Sequence, residues 1–167
     1  MKSRAVWVVM AAAFASGCGD APAEPLPDAE TVAAYYDYGG ALEIGFNGNV
    51  VEVTVTQPAA QLRRGGALWA RVGPYVLLFS EGTYKLMEEH PGVAGVRVIT
   101  RIKDGPEVAR ARLASSRLSG VLWRRSLNIA GRARLEGTQK PVLLEDLVSW
   151  GEDHTEYEYN PRYTARR

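Results

Sequence analysis

The stretch VRVITRIKDGPEVARARL, residues 96–113, decides the fold class because its pattern predicts a β-hairpin whose two strands bury the same side. Lys103-Asp-Gly-Pro106 supplies the turn, and Ile102 is expected opposite Glu107. One face then collects Val96, Val98 and Thr100 opposite Leu113, Ala111 and Ala109. The other face carries Arg97, Arg101, Arg110 and Arg112, together with Ile99 and Val108. The hairpin therefore predicts an antiparallel sheet with one face on a core and one face in water.

Residues 42–56 predict a second hairpin, in which LEIGF and NVVEVTVT are joined at the dipeptide Asn47-Gly48. A two-residue turn at that dipeptide pairs Phe46 with Asn49, Ile44 with Val51 and Leu42 with Val53. This register gathers the apolar side chains on one face of the hairpin. It also sets Glu43 against Glu52 on the other face, where like charges cost some stability.

The longest predicted helix covers residues 116–136 and is expected to end at Gly137. A short helix is expected at 30–38, after Asp28, and a helix or turn at 142–150. Residues 152–160 predict a last strand, because tyrosines alternate there with glutamates. The apolar stripe assigned to the long helix consists of Leu118, Val121, Leu122, Ile129, Ala130 and Ala133.

The apolar run YVLLF at residues 75–79 admits two interpretations. It predicts either a buried strand, with a helix starting after Ser80, or the first turns of a helix that begins at Pro74. Gly82 would lie inside that second helix at a cost of about 1 kcal/mol, so the strand is favoured. In both cases the helix ends at His90-Pro91-Gly92.

These elements together predict an α+β fold, with an antiparallel sheet built from two hairpins plus further strands and backed by the helix at 116–136. The helix-Pro-Gly-Val-x-x-Val-x-Val pattern over 84–98 is similar to the helix-to-strand joint of ferredoxin-like domains. That likeness leaves a ferredoxin-like strand order open and implies nothing about activity.

The composition gives no support to a nucleic-acid-binding protein, a disulfide-stabilised protein, or a metal- or cofactor-binding protein. The 167 residues carry a formal net charge of +1, which gives no support to a nucleic-acid partner. The only cysteine is Cys18, so no disulfide framework can form within the chain and the fold depends on its core. No histidine, cysteine or glycine-rich motif indicates a metal site or a cofactor.

The N-terminus has the parts of an export signal. Lys2 and Arg4 precede an uncharged run at 5–16 that is too short to span a bilayer. Two processing sites are open. Ala13-Phe14-Ala15 fits a signal-peptidase site, which would leave a free thiol, whereas Ala15-Ser16-Gly17-Cys18 resembles the lipobox of bacterial lipoproteins.

The lipoprotein resemblance covers residues 1–18 only and implies cleavage before Cys18 with acyl groups on its sulfur. Residues 1–17 would then be a signal peptide, and the proline-rich residues 18–29 a tether. The globular domain is expected at 30–160 and a loose tail at 161–167. In lipoproteins of Gram-negative bacteria an aspartate directly after the cysteine favours the inner membrane. Here Asp20 comes one position later, so the resemblance implies a domain facing away from the cytoplasm on the outer membrane.

The densest polar cluster is the Glu152-Asp153-His154 turn, with Glu156 beyond it. A histidine beside carboxylates is suited to acid–base chemistry or to a divalent cation. The simpler interpretation is a solvated turn, because no metal-binding motif accompanies the cluster.

Two surfaces are candidates for binding. The face with Arg97, Arg101, Arg110 and Arg112 has guanidinium groups that suit an acidic protein or a phosphate-bearing envelope component. The simpler interpretation is a solvated outer face, on which these arginines pair with Glu43, Glu52 or the strand that carries Glu156 and Glu158. Tyr157 and Tyr159 form a candidate aromatic edge. The function expected from the sequence is thus a non-enzymatic binding or envelope-assembly module. The alternative is an extracytoplasmic enzyme or divalent-metal site at residues 152–154.

Overall fold

The computed structural model describes residues 24–63 and 66–165. The expected signal peptide and Cys18 lie outside the described residues. The fold is α+β, as the sequence predicts: helices pack on one face of a five-stranded sheet. The strands are β1 Leu42–Asn47, β2 Val50–Thr56, β3 Gly95–Arg101, β4 Glu107–Ala114 and β5 Glu156–Tyr159. The helices are α1 Ala29–Ala34, α2 Ala59–Arg63, α3 Gly66–Leu78, α4 Glu81–Glu89, α5 Gly120–Glu136, α6 Pro141–His154 and α7 Pro161–Thr164.

The sheet is mixed, which corrects the expectation of a purely antiparallel one. Its strand order is β1-β2-β3-β4-β5, and β2 pairs with β3 in parallel, while the other pairs are antiparallel. A ferredoxin-like order would insert a third strand between two parallel ones. Here the parallel strands are direct neighbours joined by α2, α3 and α4, so the ferredoxin-like order is wrong.

The β3–β4 hairpin has the predicted register. Val96 pairs with Leu113, Val98 with Ala111, and Thr100 with Ala109. The register then shifts between Thr100 and Arg101, so that Arg101 rather than Ile102 is opposite Glu107. Such a bulge leaves one residue of the longer strand without a partner.

The β1–β2 register differs from the prediction by two residues. Phe46 pairs with Val51, Ile44 with Val53, and Leu42 with Val55, because the turn is Gly48-Asn49 rather than Asn47-Gly48. Gly48 has a φ of +60°, the value that a type II′ turn requires at its first central position. A shift of two residues keeps every side chain on its predicted face. It also places Glu43 opposite Thr54 and removes the predicted contact between two glutamates.

Residues 75–79 are not a strand; Tyr75 to Leu78 are the last turn of α3, which begins at Gly66 rather than at Pro74. Gly73 lowers the cost of Pro74 inside α3, because a residue without a Cβ removes part of the clash with the following proline ring, although the hydrogen bond to the Ala70 carbonyl is still lost. The Gln57 side-chain amide also donates to the Trp69 carbonyl at 2.8 Å, near the interruption that the proline causes. The predicted start of a helix after Ser80 is confirmed, since Ser80 caps α4.

The long helix α5 begins at Gly120, four residues later than predicted, because the Ser119 side chain caps it. Its buried face differs from the predicted stripe: Val121 is 65% exposed, and the buried residues are Trp123, Ser126, Ala130 and Ala133. The predicted stripe omitted Trp123 and Ser126, and Ser126 Oγ accepts a 2.8 Å hydrogen bond from Trp150 Nε1 of α6.

The C-terminal part contains more helix than expected. Residues 152–154 belong to α6, so the last strand is reduced to the four residues of β5. Residues 161–164, assigned to a tail, form the single turn α7, which Asn160 caps. α1 is shorter than its predicted range of 30–38 and is capped by Asp28, as expected. Within the described residues, no helix combines the length and apolar character that crossing a bilayer needs.

Candidate functional site

Charged residues of all five strands or their ends lie on the sheet face opposite the helices; we call this set the ionic face. Successive side chains of a strand point to opposite faces, so the register places these residues in rows across the sheet. One row runs Glu52, Arg97, Arg112, Glu156, and the next contains Glu43, Arg110 and Glu158. The ionic face consists of Glu43, Glu52, Arg97, Arg101, Glu107, Arg110, Arg112, Glu156 and Glu158.

All four predicted arginines lie on this face, and each has a carboxylate partner. Arg97 Nη1 lies 2.5 Å from Glu52 Oε1, and Arg112 Nη1 lies 3.1 Å from Glu156 Oε2. Arg101 Nη1 is 3.9 Å from Glu43 Oε2.

Arg110 lies between two carboxylates. It hydrogen-bonds Glu158 and also has its Nε 3.6 Å from Glu107 Oε1. The hydrogen bond to Glu158 is the main reason that the pKa of Arg110 is raised.

The ionic face, with four arginines and five glutamates, is therefore close to neutral, and the pairing of its arginines with Glu43, Glu52, Glu156 and Glu158 agrees with the simpler interpretation of the sequence. The arginine side chains are 26–47% exposed, and exposed pairs of this kind contribute at most about 1 kcal/mol each. Arg97, Arg110 and Arg112 border a shallow depression of about 390 Å³ with Glu156, Tyr157 and Glu158. No helix of the described part of the chain lies over this face.

The two tyrosines of the candidate aromatic edge have different environments. Tyr157 is 46% exposed, and its ring centroid lies 4.9 Å from that of Tyr159. The Tyr159 hydroxyl is half-buried, and it lies 2.7 Å from the Tyr75 hydroxyl and donates to Glu152 Oε1 at 3.0 Å. Only Tyr157 is therefore well placed to meet another molecule.

A polar network that the sequence did not indicate joins α3, α6 and β5. Arg71 Nη2 donates to Glu152 Oε1 at 2.6 Å, and that oxygen also accepts from Tyr159, which contacts Tyr75. Burial raises the pKa of Tyr75 to about 12 and raises the pKa of Tyr159 as well. Arg71 contacts Glu152 across 81 residues of sequence and Tyr75 contacts Tyr159 across 84, so no local spacing could have brought the two pairs together.

The Glu152-Asp153-His154 cluster does not converge on one point. Glu152 belongs to the network with Arg71, whereas Glu156 pairs with Arg112. His154 stacks on the Trp150 ring at 3.9 Å, with its Nδ1 2.8 Å from the Trp150 carbonyl oxygen.

Asp153 is exposed, and its backbone carbonyl accepts from Arg117. Among residues 24–63 and 66–165, no group of three or more potential metal ligands comes together.

A scan against protein-family models finds no matching family, and searches of curated proteins and of solved structures find no match either. The site is therefore interpreted from its own geometry.

Proposed function

We propose that this protein is a binding or assembly module of the bacterial cell envelope, lipid-anchored at Cys18, that recognises a protein partner through the ionic face. The observation that carries the proposal is the arrangement of charge: nine charged residues from every part of the sheet lie on the one face that no helix of the described residues covers. A sheet face needs only scattered polar residues to remain in water. A continuous lattice of arginines and glutamates supplies directional hydrogen-bonding groups over a broad, rigid surface.

The pairing on the ionic face favours a partner that presents both signs of charge. A phosphate-bearing surface would have to displace glutamates that already hold the arginines, and the remaining carboxylates would repel it. A protein surface can supply an acidic group to each arginine and a basic group to each glutamate. We therefore favour a protein over a lipid headgroup or lipopolysaccharide phosphate.

The anchor would hold this domain close to the membrane. Glu24 lies against Gly92, since a Cβ added to Gly92 would come within 2.7 Å of the Glu24 carbonyl oxygen. Residues 18–23 are the part of the expected 18–29 tether that precedes this contact. Six residues can span at most about 20 Å, so a partner must itself be at or near the membrane surface.

The anchor is tested by fractionation of the bacterial envelope. Cys18→Ser removes the sulfur that acylation requires, so the protein should move from the membrane fraction to the soluble fraction. Unchanged membrane association would contradict the lipid anchor. Separation of inner from outer membranes of the wild type then tests the expected outer-membrane location.

The ionic face is tested by a double charge reversal, Arg101→Glu with Arg110→Glu. These arginines are the more exposed of the four, at 47% and 44%, so the fold should tolerate the change. The matched control, Arg124→Glu with Arg132→Glu, makes the same change in net charge on the exposed surface of α5. Envelope proteins that copurify with the wild type and the control should be lost with the ionic-face variant. Equal recovery with both variants would show that the ionic face is only a solvated surface.

A further inference from the structure

The strand β1 has a row of backbone groups that no other described residue pairs. The Thr56 N–H donates to the Ala41 carbonyl oxygen, and hydrogen-bonded pairs alternate along an antiparallel ladder. Residues 43, 45 and 47 therefore pair with β2, whereas Leu42, Ile44 and Phe46 direct their N–H and C=O groups outwards. β1 is the end strand of the sheet, so these outward groups form an open edge.

The two edges of the sheet differ in their protection against pairing with another strand. β5 has four residues, two of them glutamates, and Pro161 follows directly after Asn160. Short length, charge and proline are the usual means of blocking an edge. β1 has six residues, a single charge and no proline, and Phe46 is 40% exposed there. β1 is thus the edge that is free to accept a strand.

We infer that β1 pairs with β1 of a second copy of this chain, antiparallel about a two-fold axis through Ile44. This register brings all three outward-directed residues into the new ladder, with Ile44 opposite Ile44 and Leu42 opposite Phe46 of the second copy. The product is a continuous ten-stranded sheet, and the interface is the same patch on both copies.

The sequence of β1 suits a second copy because its apolar residues alternate symmetrically about Ile44, and the two residues that differ, Glu43 and Gly45, are opposite each other in this register. Leu42, Ile44 and Phe46 meet only apolar side chains of the second copy. Glu43 lies opposite Gly45 of the second copy, so no two like charges face each other. One strand edge buries less area than a stable dimer in solution usually has, so the association should be reversible. Confinement of both copies to one membrane would raise their effective concentration.

The register is tested by cysteine crosslinking in membranes that contain the full chain. Two Ile44→Cys residues would have Cα atoms about 5.5 Å apart, within reach of a disulfide. Two Phe46→Cys residues would have Cα atoms about 15 Å apart, beyond the reach of a disulfide. Mild oxidation should give a covalent dimer for Ile44→Cys and none above background for Phe46→Cys, with the wild type, whose only cysteine is Cys18, as the background.

Equal crosslinking at both positions, or none at either, would overturn the inferred register. A product heavier than two copies of this chain would show that a different protein occupies the edge, and would overturn the inference too.

A pair of substitutions keeps the inference testable if Ile44→Cys destabilises the fold. Phe46→Lys and Tyr157→Lys each replace an exposed aromatic on an edge strand, on β1 and on β5 respectively. Phe46→Lys should lower the dimer fraction of the detergent-purified protein at least tenfold, as measured by sedimentation velocity, whereas Tyr157→Lys should leave it unchanged. Arg110→Glu alone, which disturbs the ionic face at Glu107 and Glu158 and has no ion pair with β1, should also leave it unchanged, so failure of one proposal does not imply failure of the other. A wild type that stays monomeric at high concentration, or an equal loss in both lysine variants, would overturn the inference.

Discussion

Gly151→Ala should destabilise the protein although alanine is the better helix former. Gly151 lies in α6 against the face of Tyr75, and a Cβ there would come within 2.4 Å of Tyr75 Cε1, where ordinary contacts begin at 3.4 Å. The ring would have to move by about 1 Å. It has no room to do so, since Tyr75 is fully buried and stacks on Phe79.

The expected change in the free energy of unfolding follows from three contributions. Overpacking of a filled core costs about 1–3 kcal/mol. Displacing the Tyr75 hydroxyl from Tyr159 costs about 1 kcal/mol more. Replacing glycine by alanine inside a helix returns about 1 kcal/mol. The net loss is about 1–3 kcal/mol, or a fall in Tm of roughly 2–12 °C for a chain of this size.

Gly131→Ala is the matched control, because Gly131 lies inside α5 and a Cβ there would meet nothing within 4 Å. This variant should raise Tm by roughly 2–4 °C in the same thermal-denaturation experiment. Tyr75→Leu should remove most of the penalty of Gly151→Ala, because the smaller side chain leaves room for the methyl group. The reasoning is refuted if Gly151→Ala is as stable as the Gly131→Ala control.

Three further predictions concern the turn, the buried tyrosine and the ionic face. Gly48→Ala should lower the free energy of unfolding, measured by chemical denaturation, by about 1 kcal/mol, because alanine is strained at the φ of +60° that Gly48 adopts. Gly39→Ala should lower it much less, because Gly39 has no positive φ and a Cβ there would meet nothing within 4 Å. The free energy of unfolding should fall as pH rises from about 10 to about 12. The unfolded chain loses the Tyr75 proton at its ordinary pKa of 10.0, whereas the folded chain keeps it because burial raises the pKa of Tyr75 to about 12. An equally steep fall of the free energy of unfolding in Tyr75→Phe would contradict this cause. A double-mutant cycle on Glu52→Gln and Arg97→Gln should give a coupling of about 0.5–1 kcal/mol that shrinks in 1 M NaCl, and zero coupling at low salt would show that the pair does not form.

The parts of the fold that the sequence predicted are those with local causes. The β3–β4 register follows from side chains within 18 consecutive residues, and the α4 start follows from Ser80 alone. The β1–β2 register was missed because Gly48 can be the first or the second turn residue, and the two choices give the same faces. α3 was missed because five apolar residues fit a strand and a buried helix equally well.

In the candidate site, too, features with local causes could be predicted, and features that depend on contacts between distant parts of the chain could not. The four arginines could be placed on one face from alternation within a hairpin. Glu43, Glu52, Glu156 and Glu158 could also be named as their carboxylate partners. The choice of partner for each arginine depends on the strand order, which the parallel β2–β3 pairing sets. The network of Arg71, Tyr75, Glu152 and Tyr159 likewise depends on the packing of α3 against α6 and β5. No spacing within the chain indicates such contacts.

Photo-crosslinking in intact bacteria tests the central claim most directly. A photoreactive amino acid at Ile99, in the middle of the ionic face, should give a discrete protein adduct that Arg101→Glu with Arg110→Glu abolishes. The same amino acid at Leu135, which is 85% exposed on α5, should give no such adduct. An adduct at Leu135 alone, no adduct at either position, or an adduct at Ile99 that survives the charge reversal would contradict recognition through the ionic face.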